Sequence, residues 1–284
     1  MIALASVVLA AQAAPATQPA ADGLQPPIAV ASRHVAGRLV QVWLPPGYAR
    51  GAGRYPVVYL HDGQYVFDNP APPDNASWGV HRALAAGIAS GRMRPAILVA
   101  VWNTPKRMGE YMPDSALTGA GPRALAGLPL ARGDVRGDAY LRFLVEELKP
   151  RIDRAYRTRP AAADTMLMGA SLGGLISAYA LVRYPRVFGA AACLSTSWPI
   201  GDGFPERWFA EHLPDPHRQR LWFDYGTGTN DGVIEAPQRR LDALARRRGF
   251  TVRSWTSRGY PGARHSEVSW RARVADPLMF LLGR

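Results

Sequence analysis

Residues 165–184 read TMLMGASLGGLISAYALVRY, and the way this stretch folds decides the reading of the rest of the chain. The short apolar run Met166-Leu167-Met168 has the character of a buried strand, and Leu172–Arg183 that of a helix. Gly169-Ala170-Ser171-Leu172-Gly173 therefore spans a strand-to-helix turn, the setting of a nucleophile elbow. A serine held on so sharp a turn needs neighbours without bulk two residues before and after it, and Gly169 and Gly173 meet that demand. Such a turn exposes the Ser171 hydroxyl and aims the N–H of Leu172, at the helix start, where an oxyanion would form. The simpler reading is a glycine-rich helix start. Against it stand the strand before, the helix after, and an acid and a histidine downstream in the order Ser, Asp, His.

With 284 residues and 48% hydrophobic content, the chain is long enough for one large core, and a single domain is expected over residues 28–284. The formal charge is +12, yet only Lys106 and Lys149 among the 34 basic residues are lysines. The arginines are spread along the whole chain without an aromatic-interleaved stripe, so a solvated basic surface is expected and no nucleic-acid partner. Residues 2–10 are apolar and end in Ala11-Gln12-Ala13, an A-x-A cleavage pattern. Residues 1–13 are thus expected to be a signal peptide, which makes the protein secreted or periplasmic. Residues 14–27, rich in Pro and Ala, have the composition of a linker. No stretch is long enough to span a bilayer, so no stable membrane insertion is expected. The lone Cys193 excludes an intrachain disulfide, and its apolar run, 189–194, makes it a buried strand residue.

Residues 28–34 and 38–44 alternate apolar and polar side chains across Ala36-Gly37, the pattern of an antiparallel hairpin. Strands are expected at 56–61, 95–102, 188–194, 221–225 and 251–256, and helices at 77–89, 237–248 and 266–282. Leu141, Leu144, Val145, Leu148 and Ile152 recur at helical spacing, with a bend expected before Pro150. Between them, residues 103–138 have little periodicity, and Arg107, Glu110 and Tyr111 are candidates there for lining a substrate cleft. The alternation of strands and helices predicts an α/β fold: a mostly parallel central sheet with an antiparallel N-terminal hairpin and helices on both faces. In such sheets chemistry gathers at the carboxyl ends of the strands, where His61-Asp62-Gly63-Gln64, Ser171, residues 227–231 and His265 all fall.

A serine alcohol attacks only when a histidine takes its proton, and that histidine needs a carboxylate to fix its tautomer. Of six histidines, His34 and His81 lie on an edge strand and a helix face, His212 and His217 in a polar loop, and His61 beside the turn at 62–64. His265 stands between the last strand and the last helix and is the candidate base. Asp231, in the loop after Gly226-Thr227-Gly228, is the candidate acid, with Asp224 and Glu235 as competitors. No HExxH or paired histidines at ligand spacing occur, so no metal or other cofactor is expected.

Taken together, Pro45-Pro46-Gly47-Tyr48, the 59–64 run YLHDGQ with Phe67-Asp68, the elbow, Tyr225-Gly226-Thr227 with Asp231, and His265 with Trp270 resemble the esterase family of α/β hydrolases. That family includes esterase D, enterochelin esterases, feruloyl esterase domains and mycolyltransferases. The resemblance implies a Ser-His-acid enzyme whose oxyanion hole uses the amide of Leu172 and one from the Asp-Gly-Gln turn, at Gln64. It does not single out a substrate; a small-molecule or glycan ester is the expected partner. An acyltransferase with the same residues is the nearest alternative. A non-catalytic carbohydrate-binding relative, its cleft lined by Trp198, Trp208 and Trp270, is the alternative from another class.

Overall fold

Consecutive apolar residues mark strands covered on both faces, and the central strands of this protein are of that kind. The computed structural model describes residues 23–68, 77–117, 120 and 122–284. Among them nine strands form one mixed sheet: β1 (Gly23–Leu24), β2 (Ile28–Val30), β3 (Arg38–Leu44), β4 (Val57–His61), β5 (Ile97–Val101), β6 (Thr165–Ala170), β7 (Ala190–Leu194), β8 (Arg220–Gly226) and β9 (Trp255–Tyr260). The order is β1-β3-β5-β4-β6-β7-β8-β9, with β2 also pairing β3. β1, β2 and β5 run antiparallel to β3, and the remaining pairs are parallel.

Side chains on a strand alternate between faces, so each buried strand feeds two cores. On β4, Val57 and Tyr59 join one apolar cluster, while Val58 and Leu60 join the other. The first cluster is closed by Leu172–Arg183, Ile200–Glu211 and Glu235–Arg247 through Ile176, Phe209 and Leu241. The second is closed by Val80–Ala89 and Ala275–Leu282 through Leu84 and Leu278. Among the described residues no helix is long and apolar enough to cross a membrane.

The structure departs from the sequence-based expectations at five places. Gly23–Leu24, inside the stretch expected to be linker, pairs with Trp43 and Leu44 on β3; the expected signal peptide lies outside the described residues. The last strand is not 251–256 but Trp255–Tyr260. There the amides of Ser254 and Trp255 both turn back onto the Thr251 carbonyl, a local turn that outcompetes strand pairing. β9 is the outer strand, with Arg258 exposed, so its polar sequence does not announce burial. Before Pro150, which offers no N–H to the preceding turn, the helix widens into a π-turn over Phe143–Leu148. Pro277 likewise splits the closing helix into Glu267–Arg273 and Ala275–Leu282.

Finally, the described part of residues 103–138 is folded. They carry short helical turns, Arg107–Glu110, Asp114–Leu117, Pro122–Leu125 and Arg132–Asp134, too brief to show a period. Tyr111, Met112, Leu117 and Val135 from this stretch enter the first apolar cluster. Glu110 is buried with them, and its carboxylate accepts from the buried Arg38 guanidinium at 2.8 Å. Removing one partner of such a pair strands the other charge away from water. Glu110→Ala should therefore lower unfolding stability by about 3–5 kcal/mol, read as a fall in the urea midpoint. Arg38→Met combined with Glu110→Leu should recover most of the loss.

Candidate active site

Ser171 joins β6 to Leu172–Arg183 at φ 60°, ψ −123°, a conformation that persists only where the surroundings enforce it. A Cβ at residue 169 would stand 2.5 Å from the backbone of Gly173, so the turn closes because Gly169 has none. The Ser171 N–H donates to the Leu194 carbonyl on β7 at 2.9 Å, and its own carbonyl accepts from Leu175 at 3.1 Å. The N–H of Leu172, first of the helix, has no acceptor among the described residues.

Facing the elbow is the turn that follows β4. A Cβ on Gly173 would lie 3.2 Å from Asp62 Oδ2 and 3.3 Å from His61 Cβ, which places the two turns in contact. Arg107 grips the Asp62 carboxylate at 2.6 and 2.8 Å, and Asn103 donates to it at 2.5 Å. Gln64 Oε1 accepts from the Asn103 N–H at 3.2 Å. The Gln64 N–H, like that of Leu172, has no acceptor among the described residues.

At the same end of the sheet, His265 Nδ1 lies 2.9 Å from Asp231 Oδ1. The loops carrying them are interlocked: Gly228 donates to the Ala263 carbonyl at 2.9 Å, and Gly262 to Thr227 Oγ1 at 2.9 Å. Any side chain at Gly226 would collide with that same Ala263 carbonyl and with Asp231. Asp231 is fully buried, and its Oδ2 accepts from Ser195 Oγ at 2.9 Å and from the Gly226 amide. Burial pushes its pKa up, but the hydrogen bonds from His265, Gly226 and Ser195 outweigh burial and hold the carboxyl below its ordinary value. Ser195 Oγ in turn accepts from Trp270 Nε1 at 2.9 Å and from Arg273 at 2.8 Å. Arg273 also grips Asp224 at 2.8 Å. Burial, partly offset by Arg273, raises the Asp224 pKa. The Ser171 hydroxyl makes its hydrogen bond with Ser197 Oγ at 3.1 Å, and Asp231 leaves the second nitrogen of His265, Nε2, unengaged by the acid.

Of the residues expected on a substrate cleft, Arg107 is partly exposed and bound to Asp62. Tyr111, Trp198 and Trp270 are interior, which corrects the expectation; Glu110 is also buried but borders a cavity, and Trp208 is half-buried and stacked on His212. Glu110 is held by Arg38, and the buried Tyr111 hydroxyl accepts from the Asp62 N–H at 3.3 Å. Trp198 is buried with its Nε1 on Gln238 Oε1 at 2.8 Å, and Trp270 stands edge-on to His265 with centroids 5.1 Å apart. A cavity of about 690 Å³ is lined by His34, Lys106, Met108, Glu110, Leu130 and Arg136, among others. Glu235, the other competitor for the acid, pairs with Arg239 at the surface at 2.6 Å.

Residues 36–281 match the family model described as "Putative esterase". The chain belongs to this esterase family. Its members act on carboxylic esters. The chain is 28% identical over 168 residues to the uncharacterized protein YbbA of Bacillus subtilis, a match covering 59% of this chain and 60% of that one. It spans between 27% and 60% of the length of the curated relatives it matches. It shares its fold with an IroE-like serine hydrolase from Shewanella oneidensis, at a TM-score of 0.70 and 22% identity over 89% of this chain and 78% of the other. It also shares it with the enterobactin esterase of Shigella flexneri, at a TM-score of 0.67 and 20% identity over 93% and 60% of the two chains.

Ser195, Ser197, Asn103 and Arg273 were not singled out from the sequence. One signal was available for the two serines, which follow the apolar run of β7 as Ser171 follows that of β6. Arg273 is one of many arginines and carries no such mark.

His61 abuts this site in full burial, its Nδ1 2.8 Å from the Tyr140 hydroxyl and its Nε2 without a hydrogen-bond partner. Burial lowers its pKa from 6.5 to about 4, with Asp62 opposing. The unfolded chain therefore takes up a proton near pH 6.5 that the native protein refuses until about pH 4. Stability from this group is complete above pH 6.5 and drains away towards pH 4, by about 3 kcal/mol in all. Imidazole NMR should show His61 neutral at pH 5, while urea unfolding shows lower stability there than at pH 7. A His61 that titrates near 6.5 refutes the assignment.

Proposed function

We propose that this protein is a serine esterase that cleaves a carboxylic ester through Ser171, His265 and Asp231. The observation that carries the reading is the 2.9 Å contact of His265 Nδ1 with a fully buried Asp231, at the sheet end that also bears the strained Ser171. In this reading Asp231 fixes the Nδ1–H tautomer, so Nε2 is free to take the serine proton. Ser171 Oγ attacks the carbonyl carbon, and the amides of Leu172 and Gln64 receive the oxyanion. The alcohol leaves with the proton from His265, and water then hydrolyses the acyl-enzyme by the same route. The substrate is a small-molecule or glycan ester.

Ser171→Ala should lower turnover of an aryl ester by several orders of magnitude, since members of such a unit do not act independently. Asp231→Asn should keep the fold yet cost on the order of a thousandfold or more in turnover. Glu235→Gln, at the surface pair with Arg239, should be near normal. An active Asp231→Asn beside a crippled Glu235→Gln would overturn the choice of acid.

The proposal extends to location: one hydrolase domain beginning with β1, exported by residues 1–13 to a secreted or periplasmic site. N-terminal sequencing of protein from the native host should find the chain starting after Ala13. Intact Met1 on cytosolic protein refutes export.

A further inference from the structure

We propose that Ser197 is a second catalytic hydroxyl, which donates a hydrogen bond to Ser171 Oγ as that oxygen becomes negative. The inference rests on the reading of Ser171 as nucleophile. Two hydroxyl groups lie 3.1 Å apart, Ser171 Oγ and Ser197 Oγ, and either can be the donor. The chemistry decides between them. Ser171 has one proton, and in the proposed attack that proton goes to His265 Nε2. Once it is committed there, Ser171 Oγ can only accept from Ser197, and Ser197 Oγ–H is the donor.

The separation itself says when this bond matters. At 3.1 Å it is longer than the usual 2.7–2.8 Å of a neutral O–H···O contact, whereas bonds to an oxyanion shorten to about 2.5–2.7 Å. The contact is weak while Ser171 is an alcohol and strong while it is becoming an alkoxide. An interaction that strengthens only on the way to the transition state raises kcat and leaves KM alone. The same donor serves twice, because negative charge builds on Ser171 Oγ again as the acyl-enzyme breaks down, until His265 returns the proton to it. No bond to Ser197 is made or broken; its proton stays with its own oxygen throughout.

Ser197 is also placed rigidly. Its N–H donates to the Ser171 carbonyl at 3.3 Å, so backbone and side chain both register it against the elbow. Immediately before it, Ser195 is buried at φ 43° and hydrogen-bonded to Asp231, and Thr196 Oγ1 bonds the Cys193 carbonyl at 3.3 Å. Immediately after it, Trp198 is fixed to Gln238. The four residues form a short strap that holds the acid with Ser195 and reaches the nucleophile with Ser197. Because those anchors do not use the Ser197 side chain, truncating it leaves the strap intact.

The test compares Ser171→Ala, Ser197→Ala and Ser197→Thr in hydrolysis of p-nitrophenyl acetate and in labelling by a fluorophosphonate probe. With Ser171→Ala inactive, Ser197→Ala should lose about 10- to 100-fold in kcat. Its KM should stay within about twofold and its melting temperature should be unchanged. Labelling should slow by a similar factor, and Ser197→Thr, which keeps the hydroxyl, should restore most of kcat. A Ser197→Ala variant with normal kcat overturns the role of Ser197 while the nucleophile stands. Equal losses in the Ala and Thr variants accompanied by a lowered melting temperature overturn it as well, as a structural effect. Undiminished hydrolysis by Ser171→Ala overturns the reading of the nucleophile, and this inference with it.

Discussion

Two carboxylates, Asp224 and Asp231, are buried around one guanidinium, that of Arg273. Charges taken out of water must be paired and hydrogen-bonded to be tolerated, and this requirement fixes much of the surrounding geometry. Arg273 belongs to Glu267–Arg273, so pairing it draws that helix over the ends of β7 and β8. The residue two before that helix is His265, which arrives beside Asp231 by the same movement. Ser195 mediates between the charges, accepting from Arg273 and Trp270 and donating to Asp231. With one cation against two anions the cluster is short of a positive charge. In the proposed cycle, that is the charge His265 acquires when it takes the serine proton.

The second constraint is steric. Ser171, Ser195 and Asp62 all have positive φ, and each ends a parallel strand: β6, β7 and β4 in turn. With β8, these strands are consecutive in the sheet, in the order β4-β6-β7-β8. Their strained ends converge, and the cost of each, about 1–3 kcal/mol, is offset by hydrogen bonds to the adjoining turn. The Ser171 amide is taken up by β7 and the Asp62 carboxylate by Arg107 and Asn103. Arg107 thereby has a structural duty at the turn that carries Gln64, although it looked from the sequence like a residue for substrate.

What could be read in advance followed from how local the governing physics is. The elbow was legible because its glycines, strand and helix are contiguous, and the sheet class was legible because strands buried on both faces are apolar throughout. The Asp231 and His265 loops were legible as positions at strand ends. The buried roles of Glu110, Tyr111, Trp198 and Trp270 were not, because a polar or aromatic residue looks the same in sequence whether it meets substrate or an interior partner distant in the chain. Arg38, which holds Glu110, is one such partner. β9 was displaced because its exposed residues are polar and a turn at Thr251 competes for the preceding amides.

That polar outer strand has a consequence for how copies of the protein meet one another. A sheet edge offers unpaired N–H and C=O groups to any second edge, and long apolar edges seed aggregates. β9 instead presents Arg258, whose guanidinium is tied to Asp276 at 2.8 Å, on a chain of net charge +12. A second molecule approaching edge to edge would bring like charge against like charge and would find little apolar surface to bury. β9, which adds only Trp255 to the apolar clusters, thus offers an approaching sheet edge little to pair with.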